Sequence, residues 1–291
     1  MPETDLRSVP AGEAPARASP ATGEDAGRSP IFIGGAGRSG TTLLRVILDS
    51  HSRIACGPEL KVIPCVADLW AEFRTKYAPF LAESRMGESE VDEIFRGFIV
   101  NLLEPLRRYE GKARVAEKSP NNVFYFTHLH RIFPDARFLH MLRDGRDVVA
   151  SLLTMRWTTP EGAPVDYTRD ARLAARYWAR AVRAGREFAQ ETAGASHYRE
   201  IRYEELVTRP ESYLRALFAY LEEAWEPAVM RYHEHPRALG GESSAEQVTR
   251  AIHGDSMGRW QRELTRDERA AVKDEIGALL IELGYCTDLD W

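Results

Sequence analysis

The stretch that most restricts what this chain can fold into is residues 31–48. Ile31-Phe32-Ile33 is a short apolar run closed by Gly34-Gly35-Ala36-Gly37. Arg38-Ser39-Gly40-Thr41-Thr42 follows, and then Leu43, Leu44, Ile47 and Leu48 recur at helical spacing. A short apolar run bounded by glycines reads as a strand buried on both faces, the kind found in parallel sheets. Such a strand requires partners beside it and crossover helices to cover it. Residues 114–116, 136–142 and 198–202 read as three further strands. Two helical patterns lie in 62–109, broken near Pro79 and again around Gly87, and others lie in 121–132, 168–192 and 266–284. A helix is also expected from the RDGRD turn to about 155, and another from about Pro210. The expected fold class is α/β, a central parallel sheet with helices on both faces, in one domain over 30–291.

Composition removes several other classes. The 291 residues are 44% hydrophobic and 29% charged, which is ordinary for a globular chain, and a formal net charge of −5 argues against a nucleic-acid partner. No stretch approaches the ~18 apolar residues of a membrane span, so no membrane partner is expected. Cys56, Cys65 and Cys286 form an odd set without zinc-like spacing, which disfavours a disulfide framework. A cytoplasmic enzyme fits these bounds best. Residues 1–29 are rich in Ala, Pro, Glu and Gly, with almost no large apolar side chains, and read as a disordered tail.

In open α/β sheets ligands bind beyond the carboxyl ends of the strands. A glycine-rich turn entering a helix offers backbone N–H groups and a positive dipole end, both suited to phosphate. Gly35 and Gly40 have the spacing of a P-loop, but Thr41 stands where the lysine that grips a nucleoside triphosphate belongs. Arg38, inside the loop, supplies a cation instead. A βα turn that uses glycine only for tight geometry would leave Arg38, Ser39, Thr41 and Thr42 unexplained.

GRSGTTLL after a strand resembles the 5′-phosphosulfate loop of the sulfotransferases, whose donor is 3′-phosphoadenosine 5′-phosphosulfate (PAPS), with PAP as product. The wider stretch IFIGGAGRSGTTLLRVILDSHSRIACGPELKVIP is similar to the tyrosylprotein sulfotransferases. The resemblance implies a P-loop-like sulfotransferase fold in which Gly37, Arg38, Ser39, Gly40, Thr41 and Thr42 hold the 5′ end of the donor. It also implies that Arg143 and Ser151, eight residues apart, hold the 3′-phosphate. An arginine fork suits that dianion, whereas the plain reading of RDGRD is a charged turn with capping aspartates. Tyr203 matches a family tyrosine near the nucleotide, although a core tyrosine fits equally. HGDSMGRWQREL resembles the loop that closes over the nucleotide, which puts Gly258 and Arg259 near phosphate or adenosine, while Trp260 fits a packing role as well.

Sulfuryl transfer is an in-line displacement at sulfur. It needs a base for the acceptor hydroxyl and a cation for the charge growing on the departing phosphate. The transferred group carries a single negative charge, so no metal is expected. Glu59, after Cys56-Gly57-Pro58, occupies the position of the family's catalytic glutamate; His51 is the rival base, although its place at the end of the first helix fits a structural role better. Lys118, in Glu117-Lys118-Ser119-Pro120, matches a family lysine beside the phosphosulfate, and Arg38 is expected to share its work. Lysine is scarce, five against thirty-four arginines, so a general lysine bias does not account for Lys118. In the animal relatives the cysteine matching Cys56 forms a disulfide, but its partner position here is Ala116. Arginines that bind acidic acceptor peptides in those relatives are replaced by Lys61 and Cys65. A small phenol, a sugar, another natural-product hydroxyl or a peptidyl tyrosine therefore all remain open as acceptor. Two other readings are a P-loop phosphotransferase using ATP and a catalytically inactive PAP-binding protein. No pattern sets the oligomeric state.

Overall fold

β1 (Ile31–Gly35) is buried along its whole length and forms the centre of the sheet. The computed structural model describes residues 29–159, 161–191, 196–234, 243–244 and 246–291, so the expected N-terminal tail lies, but for Ser29, outside the described residues. After β1 come α1 (Thr41–Asp49), β2 (Ile54–Ala55), α2 (Ile63–Arg74), α3 (Ala78–Glu83) and α4 (Glu88–Tyr109). β3 (Arg114–Lys118), α5 (Phe126–Ile132), β4 (Arg137–Leu142), α6 (Gly145–Leu153) and α7 (Ala171–Glu191) follow. The chain continues through β5 (Tyr198–Arg202), α8 (Tyr203–Thr208), α9 (Pro210–Tyr220), α10 (Trp260–Glu263) and α11 (Arg266–Glu282). Among the described residues the sheet has five strands in the order β2-β3-β1-β4-β5, every pair parallel.

Strand alternation explains why both faces are covered. Phe32, Phe138 and Leu142 face one side, where they join residues of α4, α5, α6, α7 and α11 in one apolar cluster. Ile31, Ile33, Leu139 and Met141 face the other, against α1, α8 and α9. Strands buried on two faces carry apolar residues at successive positions, which is why β1 and β4 were readable as runs.

Three expectations need correction. A fifth strand, β2, pairs through Ile54 and Ala55 alone, too short to leave a pattern. The two helical patterns of 62–109 become three helices, because Pro79 occupies the first turn of α3, where a missing N–H costs nothing, rather than only ending a helix. The expected helix over 121–132 begins as a 3₁₀ turn, Pro120–Tyr125, before α5.

Register sets the site. Ile33 lies opposite Lys118 and Gly35 opposite Met141, so β1, β3 and β4 end together along one edge. Gly35 has φ 146° there, and a Cβ on it would sit 2.4 Å from the Met141 carbonyl oxygen, so only glycine lets the chain leave β1 this close to β4.

His140 on β4 makes the fold pH-sensitive. It lies under Gly185 of α7, shares a 2.7 Å hydrogen bond with the Tyr198 hydroxyl, and leaves Nε2 buried without a partner among the described residues. Burial, aided by Arg186 and opposed by Glu200, pushes its pKa down to about 4. The unfolded imidazole titrates near ~6.5, so between the two values the unfolded chain binds more protons. This contribution is fully present above the unfolded value and is lost as pH falls toward the folded one. At about pH 4.5 the site should cost about 2–3 kcal/mol of stability relative to neutral pH. Urea unfolding across that window should show a steeper pH dependence for the wild type than for His140→Gln; equal slopes would contradict it.

Candidate active site

The loop between β1 and α1 is shaped by glycine. Gly40 has φ 101°, and a Cβ on it would approach the Tyr203 ring to 2.7 Å. As N-cap it offers α1 no side chain, and no acid stands in the first turn. The first N–H groups of α1 therefore lack intrahelical acceptors and meet the cleft that Gly37, Gly40, Thr41 and Thr42 line. Arg38 adopts a left-handed backbone, φ 72°. Its Nε donates to Ser151 Oγ at 3.0 Å, and its Nη1 donates to Ser243 Oγ at 2.9 Å and Ser244 Oγ at 2.7 Å. Among the described residues every hydrogen-bond partner of this guanidinium is a hydroxyl.

Arg143 leaves the end of β4 and locks the loop from the other side. Nη1 donates to the Arg38 carbonyl at 3.0 Å and Nη2 to that of Ser256, and the guanidinium lies 4.7 Å from the centre of the Tyr203 ring. Arg38, Arg143, Ser151 and Tyr203, distant in sequence, thus meet at one place. Burial and the nearby charges of Arg143 and Arg259 pull the Arg38 pKa down to about 10. Cations forced together in this way fit an anionic ligand. Arg143 Nε and Ser39 Oγ, both buried and without partners among the described residues, fit it too.

The second half of the site is a carboxylate and an ammonium. Asp49 Oδ1 accepts from Cys56 N–H at 2.9 Å and Arg45 Nη1 donates to the Cys56 carbonyl at 3.2 Å, which turns the chain after α1 back across the loop. That return carries Glu59 to Lys118, Oε1 to Nζ 2.5 Å, with Thr42 Oγ1 at 3.4 Å from the same nitrogen. Lys118 is fully buried, whereas Glu59 keeps 20% of its side chain exposed to the cleft. The cleft encloses about 1380 Å³. His51 stands elsewhere: it bonds the Ala224 carbonyl at 2.8 Å and stacks on Phe218, buried in a structural role.

The closing segment is arranged differently from the expectation. Gly258 N–H donates to Asp147 Oδ2 at 2.8 Å and Trp260 N–H to Asp147 Oδ1 at 3.1 Å, so the structure does not bring Gly258 to the Arg38 cleft. The Arg259 side chain is paired with Glu263 at 2.7 Å, and its charge still acts on Arg38. Trp260 packs in the core under Arg146. Lys61 and Cys65 both line the cleft. Cys56 is buried with a free thiol that burial holds in its protonated form, and Cys65 and Cys286 are also free.

Sequence reasoning missed part of the lining. Ser243 and Ser244 reach Arg38 from more than two hundred positions away, and no local pattern marks them. Trp157, Tyr167 and Tyr177 form an aromatic wall. The two tyrosines stack at 4.2 Å, Gly37 N–H donates to Tyr177 Oη at 2.9 Å, and a Cβ on Gly37 would stand 3.2 Å from the Trp157 ring. Trp157 and Tyr167 lie in an irregular stretch, where periodicity gives no signal.

Fold and site together define a P-loop-like α/β protein with an anion cradle at the carboxyl edge of its sheet. The chain belongs to the sulfotransferase family, whose family profile matches residues 30–227, and it is a sulfotransferase enzyme. Protein-tyrosine sulfotransferase 1 of Danio rerio is 31% identical over 265 residues, which cover 88% of this chain and 72% of that protein. Its Homo sapiens counterpart is 31% identical over 266 residues, covering 88% and 69%. Among solved structures, the sulfotransferase domain of the Synechococcus PCC 7002 olefin synthase shares the fold at TM-score 0.60 and 21% identity, covering 90% of this chain and 97% of that one. The sulfotransferase domain from the curacin biosynthetic pathway does so at TM-score 0.58 and 22% identity, covering 90% and 99%.

Proposed function

We propose that the chain transfers the sulfuryl group of PAPS to a phenolic hydroxyl, on a small molecule or a peptidyl tyrosine, in the cytoplasm. The observation that carries this is the Glu59–Lys118 pair, 2.5 Å apart at the mouth of the loop. PAPS supplies an activated sulfuryl group on a phosphate leaving group. The N–H groups at the start of α1 and Arg38 hold the 5′ end, and Arg143 with Ser151 holds the 3′-phosphate. Glu59 accepts the proton of the acceptor hydroxyl as its oxygen bonds to sulfur. Lys118 and Arg38 meet the charge that remains on the phosphate oxygen when its bond to sulfur breaks. Trp157, Tyr167 and Tyr177 offer an acceptor ring flat apolar surface, which favours a phenol over a sugar. A free, buried Cys56 suits a reducing compartment.

The test is calorimetric titration with PAP, then mass spectrometry of PAPS incubations with pooled phenols, tyrosine peptides, sugars and aliphatic alcohols. The expected result is PAP binding and a sulfated phenol. Absence of PAP binding, or magnesium-dependent ATP turnover, would overturn the reading. Tight PAP binding with no product in any pool would favour an inactive binding protein.

A further inference from the structure

We infer that Glu117 is a positioning residue that holds the backbone of the catalytic base, an inference that rests on Glu59 being that base. Glu117 precedes Lys118 on β3, opposite Phe32 of β1, and only 3% of it is exposed. It touches no open part of the cleft. A buried carboxylate is expensive unless its oxygens are satisfied, and here they are satisfied by one loop in particular. Oε1 accepts from Ser119 Oγ at 2.8 Å and Oε2 from Asn122 Nδ2 at 2.5 Å, and the Leu60 backbone amide lies on the same side and favours the charged form. The Ser119 hydroxyl accepts in turn from Lys61 N–H at 3.2 Å. The Lys61 amide, two residues after Glu59, therefore ends on Glu117 through a single hydroxyl, with the Leu60 amide beside the same carboxylate.

That anchoring has something to resist. Lys61 stands in the left-handed region, φ 58°, a conformation a lysine does not choose when free. Asn122 completes the frame, since its Nδ2 also donates to the Ile33 carbonyl at 3.2 Å on the strand that ends in the phosphate loop. The base loop is thus tied to the loop strand through one carboxylate. Burial raises the pKa of Glu117, and the donors from Asn122, Ser119 and Leu60, with Lys118 beside it, work against that rise.

The test compares wild type, Glu117→Gln and Ser119→Ala in hydrogen exchange and in turnover. In Glu117→Gln the Leu60 and Lys61 amides should exchange about tenfold faster or more, while PAP affinity stays within about twofold. With an acidic phenol such as 4-nitrophenol, turnover should fall about 10–100-fold below the pKa of the phenol. The rates should converge above that pKa, where the acceptor is already ionised and needs no base. Unchanged exchange at Leu60 and Lys61, or the same loss at every pH, would overturn the inference, because a merely structural acid would act without regard to acceptor ionisation. If Glu117→Gln does not fold, Ser119→Ala removes only the relay to Lys61. It should show the same pH-dependent loss at about 3–10-fold, and no loss would count against the proposal. Failure of the sulfotransferase reading shows separately, as a wild type that does not bind PAP, and the exchange measurement still reports on the anchor.

Discussion

Glu59→Gln should lower turnover by about 10²–10⁴-fold at neutral pH while leaving PAP affinity within about twofold. The substitution keeps the shape of the side chain and an oxygen able to accept from Lys118, now 2.5 Å from Glu59 Oε1. It removes the group able to take the acceptor proton. The donor contacts lie elsewhere, on the first turn of α1, Arg38, Arg143 and Ser151, so the nucleotide should be held as before. The loss should depend on the acceptor. A weakly acidic phenol needs its proton removed during transfer and should suffer in full. 4-Nitrophenol above its pKa arrives as the phenolate and should be turned over at a rate close to wild type. Single-turnover rates with the two phenols across pH check this. Full activity with the weakly acidic phenol would remove Glu59 from the role of base. A matching loss of PAP binding would make it a residue of the donor site.

The parts of this site readable in the sequence are those that sit where a strand ends. β1 and β4 are buried on both faces, so their apolar runs announce them, and the polar residues immediately after them, Arg38 and Arg143, stand out against that background. Lys118 closes β3 and is conspicuous because lysine is scarce. Glu59 carries no periodic signal; the family likeness marks it, and the turn built by Asp49, Arg45 and Cys56 supplies the physical reason it reaches Lys118. What stayed hidden depends on tertiary meeting alone. Ser243 and Ser244 acquire meaning only when the chain returns over Arg38, and Trp157 and Tyr167 only when α7 brings Tyr177 against them. The place of Gly258 is likewise set by a tertiary meeting, since its N–H is held by Asp147, over a hundred positions earlier. His51, the rival base, has at the end of the first helix the structural place the sequence suggests, bonded to the Ala224 carbonyl and stacked on Phe218.

Lys118→Met should lower turnover by about 10²–10³-fold, and by the same factor at every pH. Methionine fills a similar volume without the ammonium, in a position where the lysine is wholly buried. Glu59, left without its partner, remains partly exposed to solvent at 20%, so the cost of an unpaired charge is screened and the fold should persist. The contrast with Glu59→Gln separates the two roles. Ionising the acceptor in advance bypasses a missing base, but it does nothing for the charge that grows on the departing phosphate oxygen. 4-Nitrophenolate should therefore restore Glu59→Gln and leave Lys118→Met as slow as before. Lys118→Arg should not restore activity either, because a planar fork cannot occupy the point position between Glu59 and Thr42. If the Lys118→Met defect instead disappears as the acceptor ionises, the lysine acts by orienting Glu59 rather than by stabilising the leaving group. Arg38, on the opposite side of the loop, would then have to carry that charge alone.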